Sequence, residues 1–178
     1  MKKLILLNGP PGCGKDAIAN ILTENHDGLN LKFAQPLRSA VCELLNIKDE
    51  NLENNKVINP NIRTLMINIG ENVVKPVLGK DWFAKLLVEK IKTDYTNHKL
   101  LVISDIGFIQ EIDIIYENLK DLYKIQLWKI YRSGKNFDID SRDYLNHSDI
   151  KTCDISNNGD INNLVHLVSS KIKSKTPP

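Results

Sequence analysis

The sequence predicts an α/β domain, with helices on both faces of a parallel sheet. The apolar runs Leu4-Ile5-Leu6-Leu7 and Leu100-Leu101-Val102-Ile103 are continuous, as strands buried on both faces require. Stretches with apolar residues at helical spacing separate the strand-like runs, and the two kinds alternate along the chain without an internal repeat. That alternation implies right-handed crossovers between parallel strands. A chain of 178 residues suffices for a single domain, residues 1–178, burying roughly 70% of its unfolded surface.

Between the first strand and the first helix lies Asn8-Gly9-Pro10-Pro11-Gly12-Cys13-Gly14-Lys15-Asp16. The apolar positions Ala17, Ile18, Ile21 and Leu22 then share one helical face. Strand, glycine turn and helix, with Lys15 directly after Gly14, match a phosphate-binding loop. Small residues there let backbone N–H groups close on a polyphosphate while the lysine adds a point charge. The helix N-terminus faces the same anion. Asp16 stands where such loops usually carry a Ser or Thr hydroxyl for magnesium. Two roles are open to it: contact with magnesium through a water, or simple support of the first helical turn. It argues against switch GTPases and motor ATPases, which lean on the hydroxyl. Cys13, at a helix N-terminus near Lys15, is expected to be a reactive thiol that nucleotide protects.

A formal net charge of +2 implies no broad basic face for nucleic acid. The three cysteines, Cys13, Cys42 and Cys153, lack metal spacing and fit a reducing, cytoplasmic compartment. Lys2-Lys3 precedes too short an apolar core for a signal peptide, and no run approaches bilayer length, so no membrane partner is expected.

Further along, residues 29–33 alternate as a second strand, and Pro36 opens a helix continued by Leu37, Val41, Leu44 and Leu45. Arg38 in its first turn opposes the helix dipole, so it either holds an external anion or is simply solvated. Residues 46–61, dense in Asn, Asp and Glu, read as a mobile surface connection. Residues 62–69 form a helix that stops at Gly70, and residues 73–78 lead to a turn at Gly79-Lys80-Asp81. Trp82, Phe83, Leu86, Leu87 and Ile91 mark an amphipathic helix, in which core packing and a ligand border suit Trp82 equally. Asp105 ends the Leu100 strand at the carboxyl edge of the sheet, where open α/β sheets bind ligands.

Phe108, Ile109, Ile112, Ile115, Tyr116 and Leu119 give the next helix a buried stripe. An alternating strand covers residues 123–130, and a shorter strand covers residues 152–156. Between them, residues 131–149 form a polar excursion carrying Arg132, Lys135, Arg142 and His147, suited to a lid over phosphates. Asn157-Asn158-Gly159 is a turn, Asp160 a cap, and Ile161, Leu164, Val165, Val168 and Ile172 a final helix before a frayed tail at residues 173–178.

Taken together, these motifs resemble the bacteriophage-type deoxynucleoside monophosphate kinases, a branch of the nucleoside monophosphate kinase-like P-loop enzymes. The resemblance runs from Leu4 to about Ile172. It rests on Gly14-Lys15-Asp16, Phe33-Ala34-Gln35-Pro36-Leu37-Arg38, the stretch from Arg63 through Gly70-Glu71 to Trp82, and Ser104-Asp105-Ile106-Gly107-Phe108 with Glu111. Arg132-Ser133-Gly134 with Asp140-Ser141-Arg142 resembles the family's lid, and Asn157-Asn158-Gly159 the loop whose backbone holds adenine. The sequence departs at Gly107 and Lys75, where arginine is usual, and lysine lacks arginine's bidentate fork.

What the resemblance implies is a three-layer α/β/α P-loop NTPase fold, nucleoside monophosphate kinase-like, that uses Mg2+ and ATP to phosphorylate a deoxynucleoside monophosphate in the cytoplasm, as monomer or homodimer. Lys15, Asp105, Arg132 and Arg142 would be catalytic. Gly9, Gly12, Cys13, Gly14, Lys15, Asp16, Ala17, Asn157 and Asn158 would bind ATP. Phe33, Arg38, Arg63, Lys75, Trp82 and Glu111, within or beside an acceptor region at residues 34–98, would hold the acceptor. Asp16 and Asp105 would order the metal through water. Two other classes stay open: a kinase for a small phosphate acceptor of the phosphomevalonate type, and a non-catalytic nucleotide switch. Against the switch, Asn55-Lys56 is followed by Val57-Ile58, which is no guanine reader, and Asp105-Ile106-Gly107-Phe108 lacks the Asp-x-x-Gly spacing.

Overall fold

The computed structural model describes residues 2–138 and 142–173, apart from the side chains of residues 53, 54 and 57. The chain runs β1 (Lys3–Asn8), α1 (Lys15–His26), β2 (Leu29–Leu31), α2 (Gln35–Leu45), α3 (Leu52–Ile58), α4 (Asn61–Ile69), α5 (Lys75–Leu78), α6 (Trp82–Asp94), β3 (Leu100–Ile103), α7 (Ile109–Leu119), β4 (Lys124–Tyr131), β5 (Lys151–Ser156) and α8 (Ile161–Lys173). Among the described residues no helix is long and apolar enough to cross a membrane.

The continuous apolar run of β1 has a direct cause. Successive strand side chains point to opposite faces, and here each face meets a helical layer. Leu4 and Leu6 pack with Leu101, Ile103 and Leu127 against Leu87 and Ile91 of α6 and Ile112 and Ile115 of α7. Ile5 and Leu7 pack with Val102, Trp128 and Ile155 against Ile18 and Leu22 of α1 and Leu164 and Val168 of α8. The five strands among the described residues are all parallel, in the order β2-β3-β1-β4-β5, with Leu6 in register with Ile103 on one side and Leu127 on the other. Because β2 and β3 lie to one side of β1, and β4 and β5 to the other, the loop after β1 sits where the strand order reverses. That is the ligand crevice of an open α/β sheet.

Several local expectations are corrected. Residues 46–61 are not a loose connection: Asp49–Asn51 form a 3-10 turn and α3 follows, with Leu52 fully buried against Val41, Cys42, Ile62 and Met66. Gly70 ends α4 as expected, but it does not end the helical path. Its φ of −62° is helical, and residues 70–74 form a π-helical turn joining α4 to α5. The break comes at Gly79, whose φ of 100° lies in the left-handed region. β2 ends at Leu31 rather than at Phe33, and β4 shows no alternation, because it lies between β1 and β5 and is buried on both faces. Phe108 precedes α7 and is 37% exposed, so it does not belong to the buried stripe. Of the tail, Lys173 closes α8 and residues 174–178 lie outside the described residues.

Candidate functional site

The loop from Gly9 to Gly14 leaves the buried end of β1 and turns directly into α1. Gly12 and Gly14 have φ of 74° and 104°, the left-handed region where L side chains are strained. A Cβ on Gly14 would also collide with the amide of Asn157. Lys15 folds back over the loop, its Nζ donating to the carbonyls of Gly9 at 2.5 Å and Pro10 at 2.9 Å. Ala17 follows on α1, partly buried against the core beneath.

Cys13 does not have the reactive environment expected of it. Its thiol is fully buried, and a Cβ on Gly9 would meet its Sγ at 2.7 Å. Burial pushes the thiol up, outweighing the pull of Lys15, whose Nζ lies 3.8 Å away. Helix dipole and lysine are present, but desolvation opposes them and wins.

Around the loop, asparagine side chains act as braces. Asn157 Nδ2 donates to the Cys13 carbonyl at 2.8 Å, and the Asn157 N–H donates to the Tyr131 carbonyl at 2.8 Å. Asn158 Oδ1 accepts from the Ser133 N–H at 2.8 Å, tying the β5–α8 turn to the start of the polar excursion. Asn8, buried at the end of β1, receives the Leu145 N–H on Oδ1 at 3.0 Å and donates to the Asp143 carbonyl at 3.2 Å.

At the carboxyl edge of β3, Asp105 accepts from the N–H groups of Phe33 at 3.0 Å and Ala34 at 3.1 Å. It thereby clamps the β2–α2 connection to the sheet. Burial pushes its carboxyl up, and the two N–H donors oppose that shift. Glu111 bonds the N–H groups of Gly107 at 2.9 Å and Phe108 at 3.1 Å, satisfying donors at the start of α7. Its carboxyl is lifted to about 7, chiefly by burial, with the Asp105 charge adding to the lift.

Magnesium takes oxygen ligands and keeps several waters, relying on substrate phosphates more than on a protein cage. Asp16, its side chain 78% exposed on the first turn of α1, places one oxygen 3.1 Å from Lys32 Nζ. Ser104 continues the alternation of β3 onto the α1 face, and its buried hydroxyl has no hydrogen-bond partner among the described residues. No cluster of three or more His, Cys, Asp or Glu side chains suited to a metal exists among the described residues. This donor set fits a phosphate-borne magnesium reached through water, with both Asp105 oxygens already engaged by backbone.

The cations expected to hold an acceptor stand on separate helices. Arg38 is buried and its Nε lies 3.2 Å from Asp49 Oδ1, so it is neither solvated nor waiting on an outside anion alone. Arg63 is exposed in the first turn of α4. Lys75 pairs with Glu71 and stands 5.3 Å from the centroid of the Phe108 ring. Of the expected aromatics, Phe33 is buried in the core, whereas Trp82 lies outside the core clusters, edge-on to Phe83 with centroids 5.0 Å apart.

The polar excursion divides into two parts. Arg132 to Lys135 make an exposed turn, with the Lys135 N–H donating to the Arg132 carbonyl at 3.0 Å and Gly134 at φ 72°. The later part is anchored: Tyr144 stacks on Tyr131 with centroids 4.4 Å apart, His147 lies against Tyr116, and Ile150 enters the core. Asp140 and Ser141, expected in the lid motif, lie outside the described residues. Arg142 is half-buried, its side chain lying over Gly107.

Two residues of the site, both present in the segments the sequence singles out, were given no site role by the sequence. Lys135 lies across the loop, its Cε 3.3 Å from where a Cβ on Gly12 would stand. The signal was available, since a lysine after Ser133-Gly134 in a polar excursion is a phosphate candidate. Phe108 offers an exposed ring beside Lys75, but helical spacing counted it as core.

Comparison with solved structures finds an unliganded sugar kinase from Janibacter sp. HTCC2649, aligned over 97% of this chain and 95% of that one at 10% identity with a TM-score of 0.56. A candidate kinase from Chloroflexus aurantiacus aligns over 98% of each chain at 12% identity with a TM-score of 0.48. No family model matches the chain, and no curated protein matches its sequence. Likeness at such identity speaks for architecture alone. With the glycine loop at the strand-order reversal, the chain has an α/β/α P-loop kinase-like fold.

Proposed function

We propose that this protein transfers the γ-phosphoryl group of MgATP to a deoxynucleoside monophosphate, giving the diphosphate. One observation carries the reading: a glycine loop bearing Lys15 opens at the strand-order reversal, and the segment after β2, clamped to Asp105, leads from that edge into helices carrying Arg38, Arg63 and Lys75.

On this reading Lys15 leaves the Gly9 and Pro10 carbonyls for the β- and γ-phosphate oxygens, and the α1 N-terminus adds its N–H groups and dipole. Magnesium, when bound to the phosphates, neutralises charge there. Asp16 would order its waters from the end of the loop. Asp105 fixes residues 33 and 34 and so sets where the acceptor segment begins. Arg132, Lys135 and Arg142 supply cations from the excursion, and the transfer is positioning plus charge neutralisation with little covalent work for the protein. Asn157 and Asn158 contribute by holding the loop and the excursion in place, with the adenine ring against the backbone of residues 157–159. Lys75 and the Phe108 ring beside it suit an acceptor that joins a phosphate to a flat base. A cytoplasmic monomer or homodimer completes the proposal.

The burial of Phe33 favours a second reading, a small phosphate acceptor of the phosphomevalonate type, because it removes one flat surface from the acceptor side. ADP release from MgATP with a panel of deoxynucleoside monophosphates, ribonucleoside monophosphates and phosphomevalonate separates the two. Stimulation by one or more deoxynucleoside monophosphates above their ribose counterparts is expected. Stimulation by phosphomevalonate alone selects the second reading, and no stimulation by any acceptor removes both.

A further inference from the structure

Gly107 is buried two residues beyond Asp105, where the chain leaves β3 for α7. Its φ lies outside the left-handed region, so the backbone there would accept any L residue. What excludes a side chain is Arg142: a Cβ on Gly107 would collide with Arg142 Cδ and stand 3.0 Å from its Cγ. The Gly107 N–H donates to Glu111, which fixes this floor from beneath. Arg142 therefore rests in a slot made by the missing side chain, at the carboxyl edge beside Asp105.

From this geometry we infer that Gly107 is a positioning residue for Arg142, its bare Cα setting where the arginine side chain lies as it leaves the polar excursion. The atoms it meets belong to the flexible middle of an arginine, so an added methyl displaces Arg142 rather than the fold. The inference rests on the proposed phosphoryl transfer for its catalytic consequence. The seating itself does not.

Two measurements on the full chain test it. Without nucleotide, cleavage after Arg142 by an arginine-specific protease reads the seat directly. Gly107→Ala should speed that cleavage about threefold or more, with an unchanged unfolding midpoint. In MgATP turnover with the best acceptor of the panel, Gly107→Ala should lower kcat about tenfold with the KM for ATP held. In an Arg142→Ala background the same change should cost less than about twofold, because the two residues act as one unit. Equal cleavage rates, or effects that multiply independently, overturn the inference. Absence of acceptor-stimulated turnover in the parent removes the proposed function instead, while the cleavage rates still decide whether Gly107 seats Arg142.

Discussion

The proposed nucleotide side and the proposed acceptor side of this molecule are built on different principles. On the nucleotide side, the loop follows a strand whose neighbours are buried on both faces, and its shape comes from backbone: positive φ at Gly12 and Gly14, and carbonyls gripped by Asn157 and Lys15. The acceptor side is a set of short helices around a separate small cluster of Val41, Cys42, Leu52, Ile62 and Met66. Its apolar residues Leu44, Ile58, Ile67, Val73 and Val77 remain exposed, and its cations Arg38 and Lys75 are held by Asp49 and Glu71. One half is shaped before any ligand arrives. In the other, an incoming anion must compete with carboxylates already in place, so low local stability and adjustable pairing are expected of it.

The largest effect should come from the loop lysine. Lys15→Ala should lose about a thousandfold or more in phosphoryl transfer with little change in unfolding midpoint, because its hydrogen bonds go to carbonyls of the loop and not to the strands beneath. Near-parental turnover would break the account of the nucleotide side. A pair of core truncations then sharpens the contrast. Leu6→Ala, in the middle of the sheet, should cost about 4 kcal/mol of global stability, and Leu52→Ala about 2 kcal/mol. Leu52→Ala should also raise the acceptor KM while leaving MgATP affinity intact, since its cluster lies wholly on α2 to α4 and the turn between them. Equal loss of affinity for both substrates in Leu52→Ala would show that the halves are one cooperative unit.

A pH effect should be smaller. A carboxyl whose folded pKa lies above its unfolded value takes up a proton on folding, so its contribution is greatest below about 4.5 and declines as pH rises through about 7. Between about pH 5 and 8 the unfolding midpoint of the parent should fall relative to Glu111→Gln, which keeps an oxygen to cap α7. Parallel profiles for the two proteins would contradict the burial assigned to Glu111. Least of all should follow from Cys13. Alkylation of the native protein should be slow with or without MgATP, and should become fast only on unfolding. Rapid labelling that MgATP prevents would mean that the loop opens far more than this packing allows.

The contrast also explains what was legible in the sequence. Strands buried on both faces announce themselves as unbroken apolar runs, and a loop that depends on glycine and lysine spacing carries its geometry in residue identity. Asp105 was legible for the same reason, as the residue ending such a run. The acceptor side depends in part on contacts that spacing does not connect, such as the pairing of Arg38 with Asp49. Nothing local in Leu52 says that it will be fully buried, and nothing in Gly70 says that the helical path runs on beyond the end of α4. Phe108 was misplaced because helical periodicity extends one position past the true start of α7. The raised thiol of Cys13 escaped notice because dipole and lysine are visible in sequence, whereas desolvation is a property of the packed loop.

In the proposed reaction a phosphoryl group crosses from the loop to a monophosphate on the helical side. Phosphorus NMR of MgATP with each deoxynucleoside monophosphate follows that transfer by its product. In the parent, a new β-phosphate resonance of a deoxynucleoside diphosphate should grow as the γ-phosphate resonance of ATP declines, and Lys15→Ala should show neither change. Loss of the γ-phosphate to inorganic phosphate alone, or equal product from the parent and Lys15→Ala, would contradict the account.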